Sequence, residues 1–137
     1  MRRGSVLLAD SHSPMLQGIR SLLDERFEAV VMVADERSLL ESMERLRPDV
    51  VIVDVSLPHT AGGNVITLIH DRFPGANVIA LSAFDDRTIA NRILTCGAAA
   101  VVLKSSAIID LGPALAAVAH GRQYVSPNIR PQSVPHP

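Results

Sequence analysis

Two acids, one hydroxyl and one amine each come directly after a short apolar run of the sequence. They are Asp10, Asp54, Ser82 and Lys104. Carboxylates hold hard divalent cations, and one carboxylate can act as a nucleophile, while hydroxyl and ammonium groups bind phosphoryl oxygens. Brought together, these four side chains would suit phosphoryl chemistry.

Each of these residues also has an ordinary structural explanation when it is taken alone. An Asp after a strand is often a turn or helix-cap residue. Ser82 would serve as a cap for a helix beginning near Asp85, and Lys104 as a solvated surface charge. The placement of all four at the ends of apolar runs favours a shared site, because ligands of open α/β sheets bind outside the carboxyl ends of the strands.

Five short apolar runs predict the strands that would position these residues. None of the runs alternates with polar residues, which is typical of parallel strands covered on both faces. The runs are Val6 to Ala9, Ala29 to Ala34, Val50 to Val53, Val78 to Leu81 and Ala99 to Leu103.

Stretches with helical spacing lie between the runs. Ser13 and Pro14 suit the cap and first position of the first helix, and Gly97 suits the end of the fourth. Pro113 is unfavourable inside a helix, so the last helix is predicted to start late, with Pro113 in its first turn. The apolar faces are Met15, Ile19, Leu22 and Leu23; Leu39, Leu40, Met43 and Leu46; Val65, Ile66, Ile69 and Phe73; Ile89, Ile93 and Leu94; and Leu115, Val118 and Ala119.

This alternation predicts an α/β fold, a (βα)5 doubly wound domain with a five-stranded parallel sheet and helices on both faces. Residues 1–125 form the predicted domain. Residues 126–137 hold four of the nine prolines and almost no apolar periodicity, so they are predicted to be a proline-rich linker.

Composition narrows the classes of function. The 137 residues carry 13 Lys and Arg against 14 Asp and Glu, for a formal net charge of −1. The sequence has no block of basic residues that could grip a phosphate backbone, so this segment alone is not expected to bind DNA. The single cysteine, Cys96, excludes an internal disulfide framework and favours a reducing compartment. With no apolar run of about 18 residues and no signal-peptide pattern, the expected location is the cytoplasm, without membrane contact.

With these residues at the ends of its apolar runs, the sequence resembles the receiver domain of two-component response regulators, which has the flavodoxin-like fold. The resemblance covers Ser5 to about Pro127, and the GRQYVSP segment at 121–127 is similar to the LuxR-type, nitrate/nitrite-regulator group. It implies the strand order 2-1-3-4-5. The matching segments are VLLADSH at 6–12, PDVVIVDVSLP at 48–58, the Gly62-Gly63 turn, VIALSA at 78–83 and GAAAVVLK at 97–104.

The resemblance implies a role for each matching residue. Asp54 would be the phosphoacceptor, Ser82 the switch hydroxyl, and Lys104 the lysine that contacts the phosphoryl group. Asp10 and Asp54, with the backbone carbonyl of Ser56, would bind Mg²⁺. The implied partners are a histidine kinase, a second copy of the chain, and DNA only through an output domain outside this chain. The resemblance therefore implies that the protein is a signalling module and not an enzyme.

Two positions depart from the family pattern. Ser11 stands where the family has a second acid, usually the direct metal ligand. Magnesium usually takes one or two carboxylates, so Asp10 and Asp54 are expected to hold it, but more weakly than in the family. Val101 stands where many receivers carry the aromatic side chain that rotates during the switch.

Two alternatives remain at this stage. The loss of an acid at Ser11 keeps open a pseudo-receiver that acts through phosphorylation-independent protein contacts. A haloacid-dehalogenase-like phosphatase also uses a strand-end Asp with a Ser or Thr and a Lys, but it needs a second acid where Ser56 lies. We also expect the chain to be a regulatory fragment that a helix-turn-helix domain follows after Pro137.

Overall fold

The computed structural model describes residues 4–11, 16–60 and 64–130, and within them one sheet of six parallel strands. The spatial order is β2-β1-β3-β4-β5-β6, which confirms the doubly wound α/β fold and the implied order of the first five strands. The strands are β1 (Ser5–Ala9), β2 (Ala29–Val33), β3 (Val50–Asp54), β4 (Val78–Ser82), β5 (Ala100–Leu103) and β6 (Tyr124–Val125).

The prediction of five strands was one short. Tyr124 and Val125 pair in parallel with Ala100 and Val101, which adds β6 to the open edge of β5. A two-residue strand leaves too short an apolar pattern to be recognised in the sequence, and its pairing depends on where the preceding helix ends.

Helices cover both faces of the sheet. Helices α2, α3 and α4 pack on one face and α1 and α5 on the other, and alternate residues of the strands face each layer. The longer strands are therefore apolar on both faces, and their polar residues Ser5, Asp54 and Ser82 lie at strand ends. The helices in the described residues are α1 (Leu16–Asp24), α2 (Glu36–Leu46), α3 (Val65–Arg72), α4 (Arg87–Thr95) and α5 (Ala107–Ala119), with a 3-10 turn at Lys104–Ser106 before α5.

Polar caps begin the middle helices. The side chains of Asp35, Asn64 and Asp86 each accept a hydrogen bond from a backbone N–H in the first turn of α2, α3 and α4. Helix α4 is followed by Gly97, whose φ of 121° is costly for other residues, and a β-carbon there would lie 2.6 Å from the ring of His70. The predicted caps Ser13 and Pro14, the apolar Met15 and the Gly62-Gly63 turn lie outside the described residues.

The prediction for the last helix was wrong. Helix α5 starts at Ala107, and Pro113 lies inside it. Pro113 has no N–H to donate to the Ile109 carbonyl, but Gly112 before it has no β-carbon to collide with the proline ring. The apolar face of α5, with Leu111, Ala114 and Leu115 packed against the sheet, holds the helix together across the proline.

The chain stays packed on the sheet after β6. Ser126 and Ile129 are buried, and Ile129 joins the core beneath α2, α3 and α4. Packing thus continues past the boundary that composition predicted at residue 125, because one apolar side chain and backbone hydrogen bonds suffice to hold a short segment. Residues 131–137 of the predicted linker lie outside the described part. Within that part, no helix is long and apolar enough to cross a membrane.

Candidate functional site

The strand register brings Asp10 and Asp54 to the same level. Ala9 pairs with Val53 across β1 and β3, so the next residue of each strand is an aspartate at the carboxyl edge of the sheet. Both aspartates are 3% exposed. Two carboxylates this deeply buried need a compensating positive charge.

Lys104 supplies that charge. Its Nζ lies 2.8 Å from Asp54 Oδ2 and 3.3 Å from Asp10 Oδ2. Lys104 comes directly after β5, two strands away from Asp54 in the sheet, and its side chain reaches over the end of β4. Lys104 is thus a half-buried ammonium in contact with two acids, and not the solvated surface charge that would be its ordinary explanation when taken alone.

These contacts set the ionisation of the pair. Burial acts to raise the pKa of the Asp54 carboxyl, but hydrogen bonds from Lys104 and Ser56 outweigh burial and hold that pKa below its usual range. Burial likewise acts to lower the pKa of Lys104, and the hydrogen bond and charge of Asp54, followed by the charge of Asp10, raise it above its usual value. Asp54 is therefore a carboxylate at neutral pH, the form in which it is nucleophilic.

Ser56 contacts the second oxygen of Asp54. Its backbone N–H donates at 2.9 Å and its hydroxyl at 2.8 Å, both to Asp54 Oδ1. The family resemblance assigns a role only to the carbonyl of Ser56, whose role as a metal ligand stays a prediction, and the contribution of the hydroxyl was not predicted. An Asp followed two residues later by a Ser is a recognisable signal, because Asp side chains commonly accept hydrogen bonds from residue i+2.

The loop after β3 is anchored to α2. Thr60 donates from its backbone N–H to Glu36 Oε2 at 2.9 Å and from its hydroxyl to Glu36 Oε1 at 3.1 Å. Leu57 is buried beneath the loop. The backbone that surrounds Asp54 is therefore held by contacts outside the cluster of charges.

Ser82 ends β4, between Asp54 and Lys104 in the sheet order, and is 1% exposed. Its hydroxyl oxygen accepts a hydrogen bond from the N–H of Phe84 at 3.1 Å, which shapes the start of the β4–α4 loop. It does not cap α4, since Asp86 does so. Ser82 thus lies at the predicted edge, hydrogen-bonded to its own loop.

The two departures from the family pattern differ in their surroundings. Ser11 follows Asp10 at the carboxyl edge and is half-buried. Val101 is fully buried in the core on the α2–α4 face, and it lies within β5 with Lys104 three residues further on. A valine there fills space and has no ring to rotate.

The donor set suits magnesium with few protein ligands. Among residues 4–11, 16–60 and 64–130, no group of three or more His, Cys, Asp or Glu side chains is placed to hold a metal. Asp10 and Asp54 together match the one or two carboxylates that magnesium usually takes, with water completing its octahedron. The residues present therefore fit a magnesium ion, with Lys104 as a competing positive charge.

The histidines contribute little to the described site. His59 approaches Leu57 O at 3.3 Å through Nδ1, and His12 and His136 lie outside the described residues. Cys96 follows the last residue of α4 as its C-cap, and its Sγ accepts a hydrogen bond from the side-chain amide of Asn64 at 3.2 Å. None of these observations indicates a ligand set.

Sequence reasoning missed a buried polar residue behind the site. Ser126 is 1% exposed, and its hydroxyl oxygen accepts a hydrogen bond from the N–H of Leu103, the residue before Lys104. No sequence pattern marks Ser126, because the two residues of β6 that precede it are too few to be recognised as a strand.

Comparison with known proteins gives the same architecture. Residues 6–116 match the family model described as response regulator receiver domain. The chain is 33% identical over 135 residues to the transcriptional regulatory protein RcsB of Escherichia coli strain K12, covering 94% of this chain and 62% of that protein. It is 28% identical over 126 residues to DegU of Brevibacillus brevis, covering 90% of this chain and 53% of that protein.

A solved structure of a LuxR-family two-component response regulator from Aurantimonas sp. SI85-9A1 superposes with a TM-score of 0.78 at 27% identity, covering 92% of this chain and 91% of that one. The chain spans between half and two thirds of the length of the two curated relatives above.

Proposed function

Because the chain belongs to the response regulator receiver domain family and is similar to its LuxR-type members, we propose that Asp54 accepts a phosphoryl group from a histidine kinase. One observation carries this proposal: the buried Asp54 carboxylate shares the Lys104 ammonium with Asp10. Such a cluster supplies a nucleophile and charges that complement a phosphoryl group.

The transfer forms one bond and breaks one. An oxygen of Asp54 attacks phosphorus while the P–N bond to the donor imidazole breaks, and the leaving nitrogen keeps the bonding electrons. Lys104 and the Ser82 hydroxyl bind oxygens of the transferred group. Asp10 and Asp54, with the carbonyl of Ser56, would hold magnesium, which neutralises charge on the phosphoryl oxygens.

Magnesium binding is proposed to be weak. Ser11 has no charge where the family has a second acid. Loss of one unit charge at about 4 Å removes on the order of 1 kcal/mol in water and about 4 kcal/mol at an effective dielectric of 20, before the double charge of the ion is counted.

Intact mass spectrometry after incubation with acetyl phosphate and magnesium tests the phosphoacceptor. We expect one added phosphoryl group on the wild type and none on Asp54→Asn. Asp49→Asn is the matched control, because Asp49 precedes the same strand at its other end, and it should react like the wild type. A wild type that stays unmodified at saturating magnesium would favour the phosphorylation-independent interaction module, which the family membership does not favour.

The regulatory output is a second part of the proposal. A solved structure shows two RcsB dimers bound to two parallel DNAs. We propose that this receiver likewise controls a DNA-binding output domain and that phosphorylation shifts a homodimer equilibrium. The side chains of Ile108 and Ile109 on α5 are 44% and 76% exposed, which favours α5 as part of the dimer surface.

Sedimentation of phosphorylated and unphosphorylated protein tests this second part. Phosphorylation should favour the dimer, and a coupling of about 1–3 kcal/mol is enough for a switch. The isolated chain should show no salt-sensitive DNA binding. Identical sedimentation of both forms would contradict the dimer switch and leave the phosphoacceptor proposal intact.

A further inference from the structure

The segment Ser126–Arg130, which we name the strap, is bonded to the backbone that presents Lys104. Its first residue, Ser126, makes two hydrogen bonds to the backbone at the end of β5. The N–H of Ser126 donates to Val101 O at 3.0 Å, and the N–H of Leu103 donates to Ser126 Oγ at 2.9 Å. The Leu103 N–H is buried, so Ser126 is the acceptor that allows β5 to end where it does.

The other end of the strap is bonded to the loop after Ser82. The N–H of Arg130 donates to Asp85 O at 2.8 Å, and its Nη2 lies 3.2 Å from Asp85 Oδ1. Between the two attachments, Ile129 is 3% exposed and belongs to the core cluster of Val101. One short segment thus contacts the chain beside both phosphoryl-binding side chains.

We propose that Ser126 is a positioning residue for Lys104, and that the strap couples the ends of β4 and β5 to the chain that follows the receiver. The proposal rests on the function proposed above for Lys104 and Ser82. It provides a route out of the site that does not need a rotating aromatic side chain, which this sequence lacks at Val101.

Coupling of this kind acts in both directions. If the strap holds Lys104 in place, then a phosphoryl group that pulls on Lys104 and Ser82 changes the free energy of the strap by the same amount. The two attachments differ in strength, because the one at Ser126 is buried and the ion pair at Arg130 is exposed. Ser126 should therefore have the larger effect on the site, and the Arg130 side chain the smaller one.

The first experiment measures the initial rate of modification by acetyl phosphate in the 137-residue chain. Ser126→Ala removes the acceptor for Leu103 and is expected to slow the reaction about fivefold, with magnesium affinity changed less than twofold. Ser126→Thr keeps the hydroxyl and should restore most of the rate. Ser105→Ala, an exposed serine beside Lys104, is the matched control and should react like the wild type.

A double variant separates positioning from a general loss of stability. If Ser126 acts through Lys104, Ser126→Ala should have no further effect on the rate in a Lys104→Met background. Additive effects would overturn the proposal, as would a wild-type rate in Ser126→Ala, or an equal loss in Ser126→Ala and Ser126→Thr.

A second experiment does not depend on phosphorylation. Lys104 is the only lysine of the sequence, so its side-chain NMR signals are identified without ambiguity. Ser126→Ala should shift these signals and the Asp54 amide, and Ser105→Ala should leave the Asp54 amide unchanged. Arg130→Ala should shift the Ser82 amide, with Arg122→Ala as an exposed control.

The two experiments fail in different ways. A wild type that gains no phosphoryl group contradicts the proposed function, and the strap is then judged by the NMR shifts alone. Unchanged Lys104 and Asp54 signals in Ser126→Ala overturn the strap whether or not the wild type is phosphorylated.

Discussion

Strand β3 has an aspartate at each end, and the two have opposite surroundings. Asp49 precedes the strand, is exposed, and accepts a hydrogen bond at Oδ2 from the N–H of Ser5 at 2.8 Å. Asp54 ends the strand, is 3% exposed, and shares Lys104 with Asp10. Asp49 joins the starts of β1 and β3 through hydrogen bonds, while Asp54 lies in a cluster of charges.

Strand direction explains the difference. In a parallel sheet all carboxyl ends lie at one edge, so each new strand adds its following residue to the same group as Asp54. The amino edge collects the ends of helices and the turns after them, and there Asp49 contacts backbone atoms of β1 and the side chain of Asn77. Burial with a cation, and not the presence of an aspartate, distinguishes the candidate site.

The largest expected effect comes from removing the cation. Lys104→Met leaves two buried carboxylates without their shared ammonium, and the free energy of unfolding at pH 7 should fall by about 2 kcal/mol. Asp49→Asn should change it by less than about 0.5 kcal/mol. Urea denaturation measures both, and equal losses at the two ends of β3 would contradict the comparison.

The ion pair of Asp54 and Lys104 makes the free energy of unfolding depend on pH. The pKa of Asp54 is lowered in the folded state, so its contribution is present above its unfolded value of about 3.9 and is lost as pH falls through the folded value. The pKa of Lys104 is raised, so its contribution is present below about 10.4 and is lost as pH rises through the folded value. The difference in unfolding free energy between wild type and Lys104→Met should therefore shrink at both extremes of pH; a difference that stays constant down to pH 3 would contradict this.

Restoring an acid should strengthen metal binding at the carboxyl edge. Ser11→Asp adds a carboxylate next to Asp10, and magnesium affinity measured by calorimetry should rise by about tenfold or more. Ser21→Asp adds the same charge on the exposed surface of α1 and serves as the control. An affinity that is unchanged in Ser11→Asp would mean that residue 11 does not face the metal.

Removing a hydrogen bond to the second carboxylate oxygen of Asp54 should have a smaller effect on stability. Ser56→Ala removes the hydroxyl that donates to Asp54 Oδ1 and leaves the backbone N–H in place. The pKa of Asp54, followed by NMR of its carboxyl carbon, should rise toward its usual value, and stability should fall by about 1 kcal/mol. Ser105→Ala should change neither quantity, and a pKa of Asp54 that falls in Ser56→Ala would contradict the assigned hydrogen bond.

The smallest effect is expected at the amino edge. Asp49→Ala removes the acceptor for the N–H of Ser5, which lies at the exposed start of β1, so stability should fall by about 0.5–1 kcal/mol. The rate of modification by acetyl phosphate should not change. A slower reaction in Asp49→Ala would show that the two ends of β3 are coupled.

The sequence by itself determined five of the six strands, most of the helices and the edge at which chemistry should be sought. Continuous apolar runs have few ways to be buried except as parallel strands between two layers, and parallel strands bring their following residues together whatever the details. Asp10, Asp54, Ser82 and Lys104 could therefore be predicted from their positions after the runs. Each apolar run, together with the residue that follows it, is enough to predict both the strand and the position of that residue at the carboxyl edge.

Tertiary structure alone decided the contacts that depend on a few atoms at a distance. Nothing local to Lys104 shows that its ammonium reaches both aspartates, since that follows from the order of β1, β3 and β5 in the sheet. Pro113 lies inside α5 because packing on the sheet outweighs the local preference against it. Ser126 and Ile129 are buried although the composition of their segment predicts a linker. The free edge of β5 pairs with β6 just before them, and the buried N–H of Leu103 needs the acceptor that Ser126 supplies.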